Sequence, residues 1–449
     1  MQLHLRPRAR WILRIFAWIH IPLAGFPKRC SPIESTKRAG HTYGTAWAYA
    51  TLLAGVAAAT SWSPVRAATF GDDTGFLRQY TNIVILSDAN GAVKVALAPA
   101  WQGRVMTSTA QGDSGSSFGW INRELIASGK FQPHINVFGG EDRFWLGPEG
   151  GQFGIYFAKG RNFDLEHWSV PAALDTQPFD VVTRSRDRAL FRANFTVANW
   201  SGTEFAVTVQ REVRLLDRKL AWAALDVQPS NTVSLVAYES VNTLTNAGKD
   251  PWKKDMGLLS IWILGMFNPS PTATIVVPLK PGSSRDRATG VTSDYFGPIP
   301  PARLKVSDHA VFFSGDGQFR SKIGISPKRS TGRLGSYDAD HHVLTLVFFD
   351  QPAGASDYVN SLWKLQDDPY GGDAANSYND GPPSPGAKPL GPFYELESSS
   401  PAAELAPAAS LTHTRKTIHL TGPEGELDAV ARKVLGVSIA EIQSALKSH

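Results

Sequence analysis

Apolar and polar positions alternate with period two along much of the chain beyond residue 80. In RALFRANFTVANWSGTEFAVTVQREVRLL (188–216), Phe191, Ala193, Phe195 and Val197 recur at every second position. A turn falls at Asn199 to Gly202, and Phe205, Val207 and Val209 resume the pattern. Such alternation sets one face of a strand against a core. TNIVILSDANGAVKVALAP (81–99) holds two apolar, β-branched runs around Asn90-Gly91, a strong hairpin signal.

Strand-like runs continue with KLAWAALDVQ (219–228), VSLVAYESV (233–241), TATIVVPL (272–279), HAVFFSG (309–315), HHVLTLVFFD (341–350) and SLTHTRKTIHL (410–420). Almost no helical pattern separates them, which predicts a mainly β protein, a large antiparallel β-sandwich over 68–422, rather than alternating βα units. The chain ends differently. Leu427, Val430, Ala431, Val434 and Leu435 follow helical spacing, and Ser438 with Glu441 forms a capping box, predicting a short helical pair over 423–449 that packs on the sandwich.

Two connecting segments stand out. KPGSSRDRATG (280–290) is polar, whereas DDPYGGDAANSYNDGPPSPGAKPLGP (367–392) combines Pro, Gly, Asn and Asp with tyrosines that a bare linker does not need. The second is expected to be an ordered loop over a site, with a mobile linker as the alternative.

Charge changes the picture at the N-terminus only. Of the 449 residues, the first 67 carry nine Lys/Arg against the single acid Glu34, so the remaining chain is slightly acidic despite a formal net charge of +5. Nucleic acid is therefore not an expected partner. Lys37 and Arg38 precede the apolar run AWAYATLLAGVAAA (46–59), and Val65 and Ala67 are spaced as at a signal-peptidase site. Residues 1–67 read as a leader removed near Ala67, giving a periplasmic or secreted protein. The run is shorter than the ~20 residues of a membrane span, so no stable membrane anchor is expected in the mature chain. The only cysteine, Cys30, lies in that leader, which removes disulfides and thiolate chemistry from the rest.

Several chemistries lose support. GGEDRFWLGPEGGQ (139–152) packs glycines, aromatics and four ionisable groups together, yet no Gly-Lys-Ser/Thr follows its glycines and it opens no helix as a dinucleotide fingerprint does. Asp368, Asp373 and Asp380 lack the order of a calcium hand. His341 and His342 are adjacent, so on a strand they diverge. Neither a cofactor nor a metal is assigned. Aromatics, carboxylates and amides on the loops of a β scaffold suit a carbohydrate ligand, because aromatic faces meet C–H surfaces while polar groups bond hydroxyls.

The succession GRVMTST (103–109), GGEDRFWLGPEGGQFGIYF (139–157), Trp168 and FYELESSSPAAELAPAASLTHTRKTIHL (393–420) resembles galactose-mutarotase-like proteins, the superfamily of aldose 1-epimerases and hexose-phosphate epimerases. The nearest likeness, which includes NSYNDGP (376–382), is to an exported bacterial subgroup. The resemblance implies a supersandwich with a sugar cleft at strand ends and loops. It also implies that Glu397, in Leu396-Glu397-Ser398, is the base at the anomeric hydroxyl, and that Arg104 matches an early glycine-arginine strand.

The family's mid-chain histidine acid has no counterpart between Trp168 and Asp308. The segment YESVNTLTNAGKDPWKKD (238–255) offers Tyr238, Glu239, Asn242, Asn246 and Lys253 instead. The candidate catalytic set is Glu397, His134 and Tyr238. The candidate binding set is Arg104, Glu141, Arg143, Trp145, Glu149, Asn246, Lys253, Asn376, Tyr378 and Asp380. Arg143 is expected to contact the ligand while its acidic neighbours orient it and the glycines let the backbone pass beneath the cleft. Three functions fit: an anomeric epimerase, a carbohydrate-binding protein without turnover, and a polysaccharide lyase or hydrolase with Tyr238 as base and Arg143 as charge neutraliser.

Overall fold

The structure is a computed structural model that describes residues 68–283, 286 and 290–447. The leader, its cleavage near Ala67 and Cys30 lie outside the described residues. Among the described residues no helix is long and apolar enough to cross a membrane.

Strands β1 (Val84–Ser87), β2 (Lys94–Ala98) and β3 (Arg104–Thr109) form a small antiparallel sheet. Its hairpin turns where expected: Gly91 takes φ 69° and the Asp88 carboxylate accepts the Val93 N–H at 3.1 Å. Next come β4 (Arg143–Gly147), β5 (Asp180–Arg184), β6 (Arg188–Ala198), β7 (Glu204–Leu215) and β8 (Ser234–Asn246). The alternating run at 188–216 is the β6–β7 hairpin, with Phe191, Val197, Phe205, Val207 and Val209 buried.

The chain continues through β9 (Ser260–Phe267), β10 (Ala273–Pro278), β11 (Val291–Thr292), β12 (Leu304–Val306), β13 (Ala310–Ser314) and β14 (Ser321–Ile325). It ends with β15 (Arg333–Asp338), β16 (Val343–Phe349), β17 (Ala375–Asn379), β18 (Tyr394–Ser399) and β19 (Ser410–Thr421). A ten-stranded sheet has the order β12-β13-β10-β15-β16-β19-β8-β7-β6-β5, and a six-stranded sheet the order β11-β14-β17-β18-β9-β4.

These two sheets make the sandwich. Phe267, Ile323, Ala375 and Leu396 of the smaller sheet pack with Val277, Val311, Phe313 and Val347 of the larger. Phe144, Leu146, Ile261 and Ile263 meet Val209, Val213 and Val236. Each such aliphatic or aromatic side chain contributes about 1.5–3 kcal/mol on burial. The outer face of the ten-stranded sheet is covered by the predicted helical pair, Glu424–Leu435 and Ile439–Ser444, whose Leu427, Val430, Val434 and Ile439 pack on Val276, Leu346 and Ile418. Ser438 caps the second helix by accepting the Glu441 N–H at 3.1 Å.

Local readings needed correction in four places. KLAWAALDVQ is not a strand: Arg218–Leu225 is a helix, capped by the Asp217 side chain on the Leu220 N–H at 2.7 Å and ended by Asp226 at φ 54°. Its Ala221, Trp222 and Leu225 form a helical stripe that joins the packing under the terminal helices. β9 escaped the period-two search because all eight of its residues are buried, so both faces are apolar. The 367–392 segment is not simply a loop, since it contains β17. His341 and His342 precede β16 in a turn, with His342 at φ 48°.

Candidate functional site

Alternation sends one set of side chains from the six-stranded sheet into the sandwich and the other set outward. The register aligns the outward set in rows. Arg143 of β4, Leu264 of β9, Glu397 of β18 and Asn376 of β17 are successive partners. A second row holds Met266, Glu395, Tyr378 and Lys322, and a third holds Trp145, Trp262 and Ser399. Arg143 and Glu397 are thus two strand spacings apart on one face, about 10 Å.

Connecting segments raise walls around this floor. Ile135 and Val137, the 149–168 segment, Tyr295 and Phe296, 361–363, and 380–393 enclose a cavity of about 350 Å³. An inner chamber of about 60 Å³ lies beside it, lined by Ser260, Asp373, Asn376 and Ser399 and sharing Glu149, Trp262, Tyr295, Lys322, Ser361 and Leu362 with it. The main volume falls in the range of small-ligand sites. Trp145, Trp168, Trp262 and Trp363 supply apolar faces, and Leu165, Phe296 and Leu390 stand exposed at the rim.

Glu397 is wholly buried. Lys322 Nζ donates to its Oε2 at 3.0 Å and Trp262 Nε1 to the same oxygen at 2.9 Å, while Oε1 has no partner within the protein. Lys322 Nζ also sits 4.8 Å from the centre of the Trp262 ring. Burial works against the Lys322 charge, but Glu397, Glu149 and Glu395 outweigh it and hold the ammonium above its ordinary range. Arg143 Nη2 bonds Glu395 Oε1 at 3.0 Å, with its guanidinium 3.9 Å from the centre of the Trp145 ring.

Burial pushes Glu395 up to about 7 against the pull of Arg143, and Glu397 adds to the rise. Burial likewise raises Glu149, where Lys322 opposes and Glu397 reinforces it, and lifts Asp373 to about 6 against its hydrogen bond from Tyr295. A carboxylate clamped by a cation thus sits among carboxyl groups held toward the neutral form. Such separation of environments suits acid and base roles.

The candidate residues divide between two regions. Arg143, Trp145, Glu149, Tyr378 and Asp380 line the cavity and Asn376 lines the inner chamber, whereas Glu397 lines neither and lies beneath them, bonded to their lining residues Lys322 and Trp262. Tyr378 donates to Asp380 Oδ1 at 2.7 Å, and the Gly391 N–H to Oδ2 at 2.8 Å. Asp368 lines neither space.

Six residues are elsewhere. Tyr238 is in the ten-stranded sheet, and its hydroxyl donates to Glu141 Oε2 at 3.0 Å. Glu141 also takes Ser108 and contacts His419 Nε2 at 3.0 Å, so both belong to a buried network away from the cavity. Arg104 is fully buried, bonds the Gly139 carbonyl at 3.0 Å, and is lowered to about 9 by burial and by Arg143. His134 is exposed in a surface groove beside His167 and contacts the Trp168 carbonyl. Asn246 ties the Asp250 and Leu405 carbonyls, and Lys253 is exposed. The β8 segment entered the larger sheet, which carries its polar residues away from the cavity. Tyr238 and Arg143 therefore share no face, and the lyase pairing loses its geometry.

GGEDRFWLGPEGGQ is corrected in two respects. A Cβ on Gly139 would meet the Trp120 carbonyl at 2.1 Å, and one on Gly140 would meet Arg104 and the Val105 carbonyl at 2.8 Å. These glycines make room for the chain's own backbone and not for a ligand. Arg143 is oriented by Glu395, whereas its neighbour Asp142 engages Arg211 at 2.6 Å and Ser240 at 3.0 Å. Sequence reasoning missed Trp262, Lys322, Tyr295, Trp363 and Glu395, and weighed Asp373 only as a cation ligand. Lys322 carried a signal, being the polar position before Ile323 and Ile325, but β14 is only five residues long.

Comparison with known proteins places the chain in a family. It belongs to the family of unknown function DUF6786, whose model matches residues 68–446. No curated protein matches it in sequence. Among solved structures it is similar to galactose-mutarotase-like and aldose 1-epimerase-like proteins. One is a protein of Escherichia coli K12 described provisionally as an aldose 1-epimerase, at 13% identity and TM-score 0.47 over 76% of this chain and 99% of that one. The Slr1438 protein of Synechocystis sp. PCC 6803 matches at 13% and 0.45 over 76% and 96%. A galactose mutarotase-like protein of Lactobacillus casei ATCC 334 matches at 12% and 0.42 over 75% and 100%. At these TM-scores the likenesses carry none of the functional reading, which rests on the site itself.

Proposed function

We propose that this is an exported carbohydrate-active protein whose outer-face cavity binds a sugar and exchanges its anomers, with Glu397 as the base. The observation that carries the reading is the Glu397 carboxylate. One oxygen is fixed by Lys322 and Trp262 and the other is buried and unpartnered, directly beneath the cavity residues Lys322 and Trp262. A sugar ring stacked on the cavity indoles brings its hydroxyls to the carboxylate. Removal of the anomeric hydroxyl proton then opens the pyranose, and C1 recloses on either face. Arg143, Tyr378 and Asp380 surround the same volume and suit hydroxyl recognition. The basic, alanine-rich leader supports export.

Binding without turnover is the second reading, favoured by the lack of histidine in the cavity lining. Exchange spectroscopy by NMR on the anomers of free glucose, galactose, mannose and xylose separates the two. The proposal expects exchange well above buffer for at least one sugar, and a fall of about 100-fold or more in Glu397→Gln. Saturable binding with exchange no faster than buffer would leave the binding reading.

A further inference from the structure

We propose that Glu149 is the acid that works opposite Glu397, protonating the ring oxygen in the role that no histidine occupies. This assignment rests on the reading of the cavity as an anomeric site. No described histidine reaches the cavity. His134 and His167 share another groove, His309, His341 and His342 are held at surface turns, and His413 and His419 are buried between the sheets.

Most other titratable groups of the cavity are committed. Lys322 is bound to Glu397, Arg143 to Glu395, Tyr378 to Asp380, and Tyr295 to Asp373. Arg320 lies over the Phe296 ring, and Lys388 is an exposed cation. Among the carboxyl groups Glu149 remains, and its position suits the task. It follows β4 directly, and its backbone N–H donates to Ser361 Oγ at 3.1 Å, which ties the turn to the opposite wall. It lines both the cavity and the inner chamber. Its carboxyl lies against the indoles of Trp168 and Trp363, and the titratable groups that face it are Lys322 from β14, Glu397 from β18 and Tyr156 from its own segment. The nearest cation is already engaged by Glu397, and burial favours the protonated form of Glu149.

The step balances without a further reactant. The pyranose O1 and O5 are both bonded to C1, so one carboxyl group beneath the floor and one on the wall can serve the two oxygens. Glu397 takes the O1 proton as the C1–O5 bond breaks. The electron pair of that bond passes to O5, which takes the Glu149 proton, and C1–O1 becomes the aldehyde carbonyl. Rotation about C1–C2 and reversal of both transfers give the other anomer and restore both carboxyl groups.

The test compares wild type, Glu149→Gln and Glu397→Gln by NMR anomer exchange from pH 5 to 9, using the fastest-exchanging sugar of glucose, galactose, mannose and xylose. Sugar dissociation constants come from tryptophan fluorescence. The expected result for Glu149→Gln is a loss of about 100-fold or more in rate. Its dissociation constant should stay within about threefold, and the alkaline fall of the wild-type pH–rate profile should disappear. Should Glu149→Gln not fold by circular dichroism, Glu149→Asp retracts the acid and is expected to lower the rate while keeping that alkaline fall. If Glu397→Gln abolishes exchange and the Glu149 variants retain wild-type rate and profile, the Glu149 assignment alone is overturned. Wild-type exchange no faster than buffer for every sugar would overturn the anomeric reading and the assignment with it.

Discussion

Replacing Lys322 with methionine removes the cation that holds Glu397 and leaves the methylene stem beside Trp262. The carboxylate is fully buried and the lysine nearly so, with 0% and 11% of their side chains exposed. In the variant it would retain a single protein donor, Trp262 Nε1. Breaking such a buried pair costs about 3–5 kcal/mol, because the remaining charge has neither water nor a counter-ion. For a folded chain of roughly 380 residues, at about 2.1 cal/mol/K per residue, that is a fall in Tm of about 4–6 °C at pH 7.5.

Differential scanning calorimetry at pH 7.5 measures this fall, and Lys322→Met/Glu397→Leu should recover most of the loss. A Lys322→Met protein that melts with wild type at pH 7.5, or a double variant no better than the single, would refute the buried-pair reasoning.

Three further outcomes follow. Asp373→Asn should gain stability relative to wild type as pH rises from about 4 to 6 and then level off, because the native acid, raised to about 6 by burial, loses its favourable protonated contribution over that interval and asparagine does not titrate; Tm against pH reads this. Tyr238→Phe should cost about 1–3 kcal/mol by leaving buried Glu141 with one donor fewer, yet leave sugar affinity unchanged in a fluorescence titration. Trp363→Ala should weaken sugar binding about tenfold, an effect of about 1.4 kcal/mol that calorimetric titration resolves, with little change in fold as judged by circular dichroism.

The legible parts of the fold were those in which one face meets the core and the other meets water. The β6–β7 hairpin, the Asn90-Gly91 turn and the helical pair behind Ser438 all have that form. β9 lacks it, since its outward Trp262, Leu264 and Met266 serve as the cavity floor while Ile261 and Ile263 serve the core. A cavity floor made of apolar side chains erases the alternation that reveals a strand. The 219–228 run misled for another reason: its tryptophan and alanines suit either element, and the Asp217 cap decides the matter.

The site was half visible for a related cause. Glu397, Arg143 and Asn376 occur far apart in sequence and meet only because β4, β9, β18 and β17 are neighbours in the sheet. The resemblance in the Leu396-Glu397-Ser398 stretch pointed to one of them, while Lys322 and Tyr295 lay in short strands and loops with no motif to mark them. Polar density alone misdirected attention to Glu141, Tyr238 and Asn246. Their groups satisfy one another inside the sandwich or tie its loops, which is the ordinary fate of buried polar side chains.

A crystal structure of Glu397→Gln grown with the sugar whose anomers the wild type exchanges fastest decides where the ligand sits. The pyranose is expected over Trp262 and Leu264, with C1 between residues 397 and 149 and Arg143 within hydrogen-bonding reach. Sugar bound instead on the other side of the six-stranded sheet, in the cleft lined by Trp120, Asn268 and Thr345, would contradict it.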